Sequence, residues 1–501
     1  MTKAIPLMFQ GTNSDVGKSV IVTAFCRIFA QDGHKTAPFK SQNMSLNSYI
    51  TIDGKEIGRA QGVQAEAAGI QATTEMNPIL LKPNREYQSQ VVVHGKPYLN
   101  MEAGAYRSDF FQMGLKLIKG SLSVLSEKFE RIVIEGAGSP AEINLNDREL
   151  VNMRVARMAN APVILIGDID KGGVFASLVG TLQLMEPEDR DRVIGVIINK
   201  FRGDVRLLES GLTWFEEYTG KPVLGVIPYL DHLNIDAEDS LILNQYSSNP
   251  DREKALDIAV IQYPKISNFT DGDPFFAEPD CHVRFITRAD QLHNPDLVIL
   301  PGSKNTIEDL LFLRNSGLAQ RITELENKSV IFGICGGYQM LGEKIADPFA
   351  IESMNPEIEG LQLLPIRTTI TKDKRTELSN GTLTLFNKRF DVTGYEIHMG
   401  ETESIGENLG LIDLNGQWDG CKTTEEKVIG TYFHGIFHND EFRKEFLNQL
   451  RGAKGLEPIE ERQSFTQLRE EAYDRLASHV RKHVNVPLIE QKMLEFQKNN
   501  G

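Results

Sequence analysis

IPLMFQGTNSDVGKSVIVTAF (5–25) runs from a short apolar stretch through a glycine-bounded loop into a second apolar-periodic stretch. Read in order, these are a buried strand, a loop and the start of a helix. A loop placed this way, with Gly-Lys-Ser where the helix opens, is suited to phosphate. Backbone N–H groups around Gly17 face the anion, Lys18 reaches its outer oxygens, and the Ser19 hydroxyl can bind Mg²⁺. The spacing departs from the usual G-x-x-x-x-G-K-[ST] pattern, because five residues separate Gly11 from Gly17. Thr12 therefore stands where the first glycine normally stands.

The alternation of strand and helix continues outward from this loop. IPLMF (5–9), RIVIEG (131–136), PVILIGD (162–168), RVIGVIINK (192–200) and PVLGVIP (222–228) are apolar runs separated by helical patterns. Such runs predict parallel strands covered on both faces, with ligands beyond their carboxyl ends. A polar, turn-rich stretch, LNQYSSNPDREKAL (243–256), reads as a linker. The pattern then restarts with LDIAVIQYP (256–264), HVRFIT (282–287), PDLVILPGS (295–303), KSVIFGIC (328–335) and KVIGTYFHGIF (427–437). Beyond about 443 the chain turns charged and helical and reads as a solvated appendage. The expected fold class is α/β: two doubly wound parallel-sheet domains, 1–245 and 255–442, followed by a helical C-terminal segment, 443–501.

Bulk composition narrows the function. Of 501 residues, 41% are hydrophobic and 25% charged, the balance of a soluble globular protein. No apolar run reaches a membrane span, and the N-terminus lacks a signal-peptide pattern. The net charge of −15 argues against non-specific nucleic-acid binding. Cys26, Cys281, Cys335 and Cys421 are widely spaced, which suggests neither a disulfide framework nor a zinc site. A cytoplasmic location is expected, with no membrane or nucleic-acid partner and a homo-oligomer left open.

FGICGGYQMLG (332–342) sets one cysteine apart from the others. Cys335 sits among glycines where an apolar run stops and a helix begins. A sharp strand-to-helix turn needs small neighbours and lifts its side chain out of the sheet. The helix start favours a thiolate, and an N–H just after the nucleophile, that of Gly336, can bind an oxyanion. LPGSKNT (300–306) ends a neighbouring strand and supplies a second candidate donor near Gly302 and Ser303. A base is then needed, and His434 in TYFHGIF (431–437) stands at the end of the last strand.

These motifs carry resemblances. The loop variant resembles that of dethiobiotin synthetase and its relatives, which use ATP to activate a carboxylate. That layout implies that Glu135 in VIEGAGSP (133–140) binds the metal with Ser19, and that Asn199 in INKFRGD (198–204) faces adenine. Residues 256–440 resemble a class I glutamine amidotransferase domain. Nearly all of residues 1–490 resembles the cobyric acid synthase family. That likeness is most specific in FQGTNSDVGKS, FKSQNMSLNSY (39–49), INLNDREL (143–150), GDIDKGGVFAS (167–177), GICGGYQMLG and GYEIHMGET (394–402).

The family resemblance implies a corrinoid substrate, adenosylcobyrinic acid a,c-diamide, amidated at its b, d, e and g side chains with ATP, Mg²⁺ and glutamine. Any cobalt would belong to that substrate. Lys40 is then a candidate for neutralising substrate carboxylates or ATP phosphate, or else a solvated loop lysine. Asp147 is a candidate substrate-side carboxylate, or else the N-cap of the helix that follows. Ordinary class I glutaminases carry a glutamate two residues after the histidine, whereas Ile436 stands there. The orienting carboxylate is thus expected to be missing. Either Cys335 and His434 act as a sluggish dyad, or Glu396 or Glu401, flanking His398, supplies the support. Two rival readings stay open: an a,c-diamide synthase of the same architecture, and a nucleotide-switch ATPase with an inactive glutaminase-like module.

Overall fold

The computed structural model describes residues 4–85, 87–230, 233, 235–236, 243, 247–251, 253–406 and 410–500. The chain forms two compact units, one of residues 1–44, 56–235 and 469–501, the other of 45–55 and 236–468. The boundary expected at 245 and part of the linker expected at 243–256 lie outside the described residues.

The first unit is built on β1 (Ile5–Gly11), β2 (Thr36–Phe39), β3 (Arg131–Glu135), β4 (Val163–Asp168), β5 (Val193–Phe201) and β6 (Val223–Pro228). They form one sheet in the order β6-β5-β4-β1-β3-β2, parallel throughout. The apolar runs of the sequence become these strands because both faces are covered, and β4 is buried along its whole length. Helix α1 (Lys18–Gln31) contributes Ile21, Phe25, Ile28 and Phe29 to the covering core. From β1 the chain goes first to one side and later to the other, so a crevice opens beyond the carboxyl ends of β1, β3 and β4. In register, Phe9 lies opposite Glu135, which brings that carboxylate to the mouth of the loop after β1. A second, mixed sheet of Gln42–Met44, Ile79–Arg85, Gln88–Val93 and Lys96–Glu102 has no counterpart in the sequence reading. Pro83 and Pro97 fall inside its strands and disguise them.

The second unit repeats the plan with β7 (Leu256–Ile261), β8 (Cys281–Ile286), β9 (Leu297–Leu300) and β10 (Val330–Ile334). A long antiparallel hairpin follows, β11 (Ile366–Leu385) and β12 (Lys388–Ser404), then β13 (Cys421–Lys422) and β14 (Val428–Thr431). The main sheet runs β8-β7-β9-β10-β14-β13, and only its edge pair β13–β14 is antiparallel. The strand expected over 427–437 stops at Thr431. Gly435 turns left-handed (φ 77°), and Ile436–His438 form a tight turn. Helix α2 (Gly336–Leu341) follows β10, and α3 (Asp440–Ala453) buries Phe442, Phe446 and Leu447 in the same core.

The last helices, α4 (Phe465–His483) and α5 (Val486–Asn500), correct the expectation of a solvated appendage. Leu476, Ala477, Val480, Ile489 and Met493 are buried in the core that holds Phe25 and Ile197. Their helical spacing gives one apolar stripe that the surrounding Arg, Glu and Lys residues mask in composition. Among the described residues no helix is long and apolar enough to cross a membrane.

Candidate active site

Two constructions stand at carboxyl ends of parallel strands, one in each unit. In the first, β1 ends at Gly11 and the loop Thr12–Gly17 leads into α1 at Lys18. Gly17 has φ 93°, a conformation that disfavours a side chain, and a Cβ there would collide with the Asn199 amide. A Cβ on Gly11 would lie 2.6 Å from Val16 Cγ2, so the loop closes tightly over that residue. The Thr12 N–H donates to the Ile166 carbonyl at 3.0 Å. Lys18 Nζ curls back over the loop and donates to the carbonyls of Asn13 (3.0 Å) and Gly138 (3.3 Å).

Behind the loop, one buried carboxylate gathers three donors. Glu135 Oε1 accepts from Ser19 Oγ at 2.8 Å and from Lys40 Nζ at 2.9 Å. Its Oε2 accepts from Gln64 Nε2 at 2.6 Å. Lys40 is thus a buried partner of Glu135, which corrects the reading of a solvated loop lysine. Burial of an ion pair costs desolvation, and excellent geometry must offset it. Asn199, expected to face adenine, donates its amide to the Val16 carbonyl at 2.8 Å and so props the loop. Sequence reasoning missed Lys200. Its Nζ donates to the Asp15 carbonyl at 2.5 Å and to Asp168 Oδ2 at 2.9 Å.

Asp147 is not an N-cap. It lies in an exposed turn and pairs with Arg107 at 2.6 Å, and the following helix opens only at Met153 after Asn152. Glu149 does the capping: its carboxylate accepts the N–H groups of Val151, Asn152 and Arg154.

In the second unit, β10 runs into α2 through Cys335, whose φ of 53° and ψ of −108° are strained for a side-chain-bearing residue. The glycines are required here. A Cβ on Gly336 would sit 2.8 Å from the Ser303 nitrogen, and one on Gly337 would collide with the Leu300 carbonyl. The elbow is fixed further by the Cys335 N–H, which donates to Thr431 O at 2.8 Å. The thiol lies 3.5 Å from the Ile397 carbonyl.

His434 is wholly buried. A Cβ on Gly302 would approach its Cε1 to 3.3 Å, which places the loop after β9 against the ring. The structure therefore brings Cys335, His434, Gly302, Ser303 and Gly336 together. It also supplies the carboxylate that the sequence lacks at 436. Asp271 Oδ2 lies 2.7 Å from His434 Nδ1, and Oδ1 accepts the Gly435 N–H at 2.7 Å. The expectation of an unsupported dyad is corrected accordingly. Burial alone would lower the imidazole pKa. The charge and hydrogen bond of Asp271 outweigh it, the Cys335 thiol adds to them, and the result is pushed up to about 10. With Nδ1 committed to Asp271, Nε2 is the nitrogen left for proton transfer.

Glu396, an expected support for His434, instead serves His398 (3.6 Å) and Arg375 (3.4 Å) and accepts from Ser379. Glu401 is exposed. His398 stacks on Tyr432 at 3.7 Å. Both line a cavity of about 490 Å³ with Tyr338, Arg375, Glu396 and Gly400, though neither Cys335 nor His434 reaches its wall.

The sequence matches two families in tandem. Residues 7–242 match the CobQ/CobB/MinD/ParA nucleotide binding domain, and residues 257–442 match the CobB/CobQ-like glutamine amidotransferase domain. A cobyric acid synthase of Geobacillus sp. (strain WCH70) is 65% identical over the full length of both chains. The chain belongs to the cobyric acid synthase family. Another member, from Anoxybacillus flavithermus, is 64% identical over 99% of each chain. A more distant one, from Streptococcus sanguinis, is 50% identical over 98% of this chain and 99% of its own. Membership accounts for the pairing of a phosphate loop and an elbow thiol in one polypeptide.

Proposed function

We propose that this protein converts corrinoid carboxylates to carboxamides, taking ammonia from glutamine and driving force from ATP. Its substrate is adenosylcobyrinic acid a,c-diamide, amidated at b, d, e and g to adenosylcobyric acid in the cytoplasm. The observation that carries the reading is the coexistence, in one chain, of two built sites. A phosphate loop is backed by a buried Ser19–Glu135–Lys40 cluster, and a strained thiol stands near an imidazole held by Asp271. A switch ATPase with an inert second module has no use for the latter. Residues 1–245 would form the synthetase domain, 255–442 the glutaminase domain and 443–501 a helical segment, with 45–55 packed into the second compact unit and 469–501 into the first.

In the glutaminase half, Cys335 attacks the glutamine side-chain amide carbon as the thiolate, beside a His434 whose raised basicity keeps the proton on Nε2. N–H groups at Gly336 and at the Gly302–Ser303 loop stabilise the oxyanion. Collapse expels ammonia, which takes the proton from His434, and leaves a thioester. His434 then deprotonates water, which releases glutamate.

In the synthetase half, the γ-phosphoryl group of ATP passes to a substrate carboxylate oxygen, giving an acyl phosphate and ADP. Ammonia then attacks the acyl carbon and phosphate leaves. The backbone at Thr12 and Gly17 holds the phosphates, and Lys18 neutralises charge on the transferring group. Ser19 Oγ and Glu135 Oε1, 2.8 Å apart, are hard oxygens that would hold Mg²⁺. Mg²⁺, when bound there, supplies charge neutralisation at the β- and γ-phosphates. Lys40 is released from Glu135 to a phosphate or a substrate carboxylate. Asn199 steadies the loop next to adenine, and Asp147 meets the acceptor from the surface.

The test is to supply ATP, glutamine and corrinoid acids together and to locate the new carboxamides by mass and NMR. Amidation at b, d, e and g is expected. Amidation at a and c alone would overturn the substrate assignment in favour of the a,c-diamide synthase. ATP hydrolysis without glutamate release would overturn the amidotransferase reading.

A further inference from the structure

We propose that Asp271 is the positioning carboxylate of the thiol site and that residues 45–55 hold it in place. Both oxygens of this buried carboxylate are committed, one to His434 Nδ1 and one to the N–H of the next residue, Gly435. The first contact fixes the ring and its tautomer. The second fixes the backbone that carries the ring. Asp271 thus does the work of the absent glutamate from a segment 163 residues away.

That segment is itself anchored. Asp271 lies in the short turn Phe269–Gly272, entered through Asn268 in a left-handed conformation (φ 50°). Asn268 Oδ1 accepts the Ser48 N–H at 2.9 Å, and both residues are buried. Two residues on, Ile50 packs with Tyr395 and Ile397. Tyr395 stacks flat against the His434 ring (4.9 Å, 12°) and exchanges two backbone hydrogen bonds with that residue. Ile397 presents its carbonyl to the Cys335 thiol. Residues 45–55 therefore brace the histidine through Asn268 and Tyr395, and the thiol through Ile397. They lie outside the stretch matched to the amidotransferase family, 257–442, and inside the stretch matched to the nucleotide-binding family. The thiol site draws on both.

This proposal rests on the glutaminase reading above and deepens it. The test measures glutamate release by the full chain and by Asp271→Asn, Asp271→Glu and Asn268→Gly, with ammonia-dependent amidation assayed in parallel. In Asp271→Asn an amide faces Nδ1 and favours the wrong tautomer, while an oxygen still accepts the Gly435 N–H. The expected result is a fall in kcat of on the order of 10²–10⁴-fold. KM for glutamine should stay within about threefold, and ammonia-dependent amidation should be intact. Asp271→Glu should recover part of the loss. Asn268→Gly keeps the left-handed backbone and removes the Ser48 acceptor, so kcat should fall by about tenfold, less than in Asp271→Asn. Full glutamine kcat in Asp271→Asn, or a joint loss of kcat, glutamine binding and ammonia-dependent activity, would overturn the positioning role. Full activity in Asn268→Gly would overturn the part assigned to residues 45–55. If the unaltered chain releases no glutamate, the glutaminase reading itself fails, a result distinct from any of these.

Discussion

The phosphate loop and the thiol elbow solve the same problem at opposite degrees of visibility. Each sits where a parallel strand gives way to a helix, and each depends on one buried carboxylate, Glu135 or Asp271. Glu135 ends a strand directly beside the loop's own strand, so its apolar run and following glycines announce it. Asp271 lies in a short turn after β7 and reaches His434 across 163 residues. Local motifs record what a sharp backbone turn demands of its own residues. They do not record which distant side chain will complete the chemistry.

The largest effect expected is for Lys18→Ala, which should abolish amidation from either glutamine or ammonia. Transition-state charge on the phosphoryl group would lose a cation worth several kcal/mol. Near-normal ammonia-dependent turnover at saturating ATP would break the parallel by removing chemistry from the loop. Cys335→Ser should be more selective, eliminating glutamine-dependent synthesis and sparing synthesis from ammonium salts. Equal loss of both would show that the two regions are not separable in function. Leu476→Ala probes the core that the phosphate loop shares and the thiol elbow does not. It should destabilise the first unit by about 2–5 kcal/mol, as large-to-small changes in a core do, seen as a lower unfolding midpoint in urea. An unchanged midpoint would restore the solvated-appendage reading of the C-terminal helices.

A smaller effect is expected at Asp309, which accepts from Ser303 Oγ at 2.5 Å beside the thiol site. Burial pushes its carboxyl up to about 7 despite hydrogen bonds from Ser303 and the Lys265 N–H. The folded chain then binds more protons than the unfolded one between the ordinary carboxyl range and about pH 7. This contribution to stability is full below the unfolded pKa and is lost as pH rises toward 7. Asp309→Asn should flatten that part of the stability profile, read as unfolding midpoints at several pH values. Glu352, pushed up to about 7 by its own burial, retains a slope of the same sign. An unaltered profile in Asp309→Asn would remove Asp309 from the account.

Much of the fold was legible because apolar strand runs need both faces covered, and the ten main-sheet runs named from sequence all became strands. What escaped was polar or interrupted. Pro83 and Pro97 hide two strands, and the charge of TKDKRTE (371–377) hides the long hairpin β11–β12. At the sites, Lys18, Ser19, Cys335 and Gly336 were fixed by the geometry of turns. Lys40 and Asp271 were not, since pairing with Glu135 and His434 is decided only by packing. A cue for Asp271 existed: ISNFTDGDPF (266–275) is an acidic turn just beyond a core strand, where such sheets place their ligands.

Coupling of two chemically distinct sites by ammonia and by ATP would set this chain apart from a tandem of independent activities. It is tested most directly by supplying glutamine labelled with ¹⁵N in its side-chain amide, together with ATP and the corrinoid acceptor. Label in the product and release of ADP and glutamate would then be measured. The expected result is one ¹⁵N, one ADP and one glutamate for every new carboxamide. Carboxamides formed without label, or ADP and glutamate released with no amide formed, would contradict it.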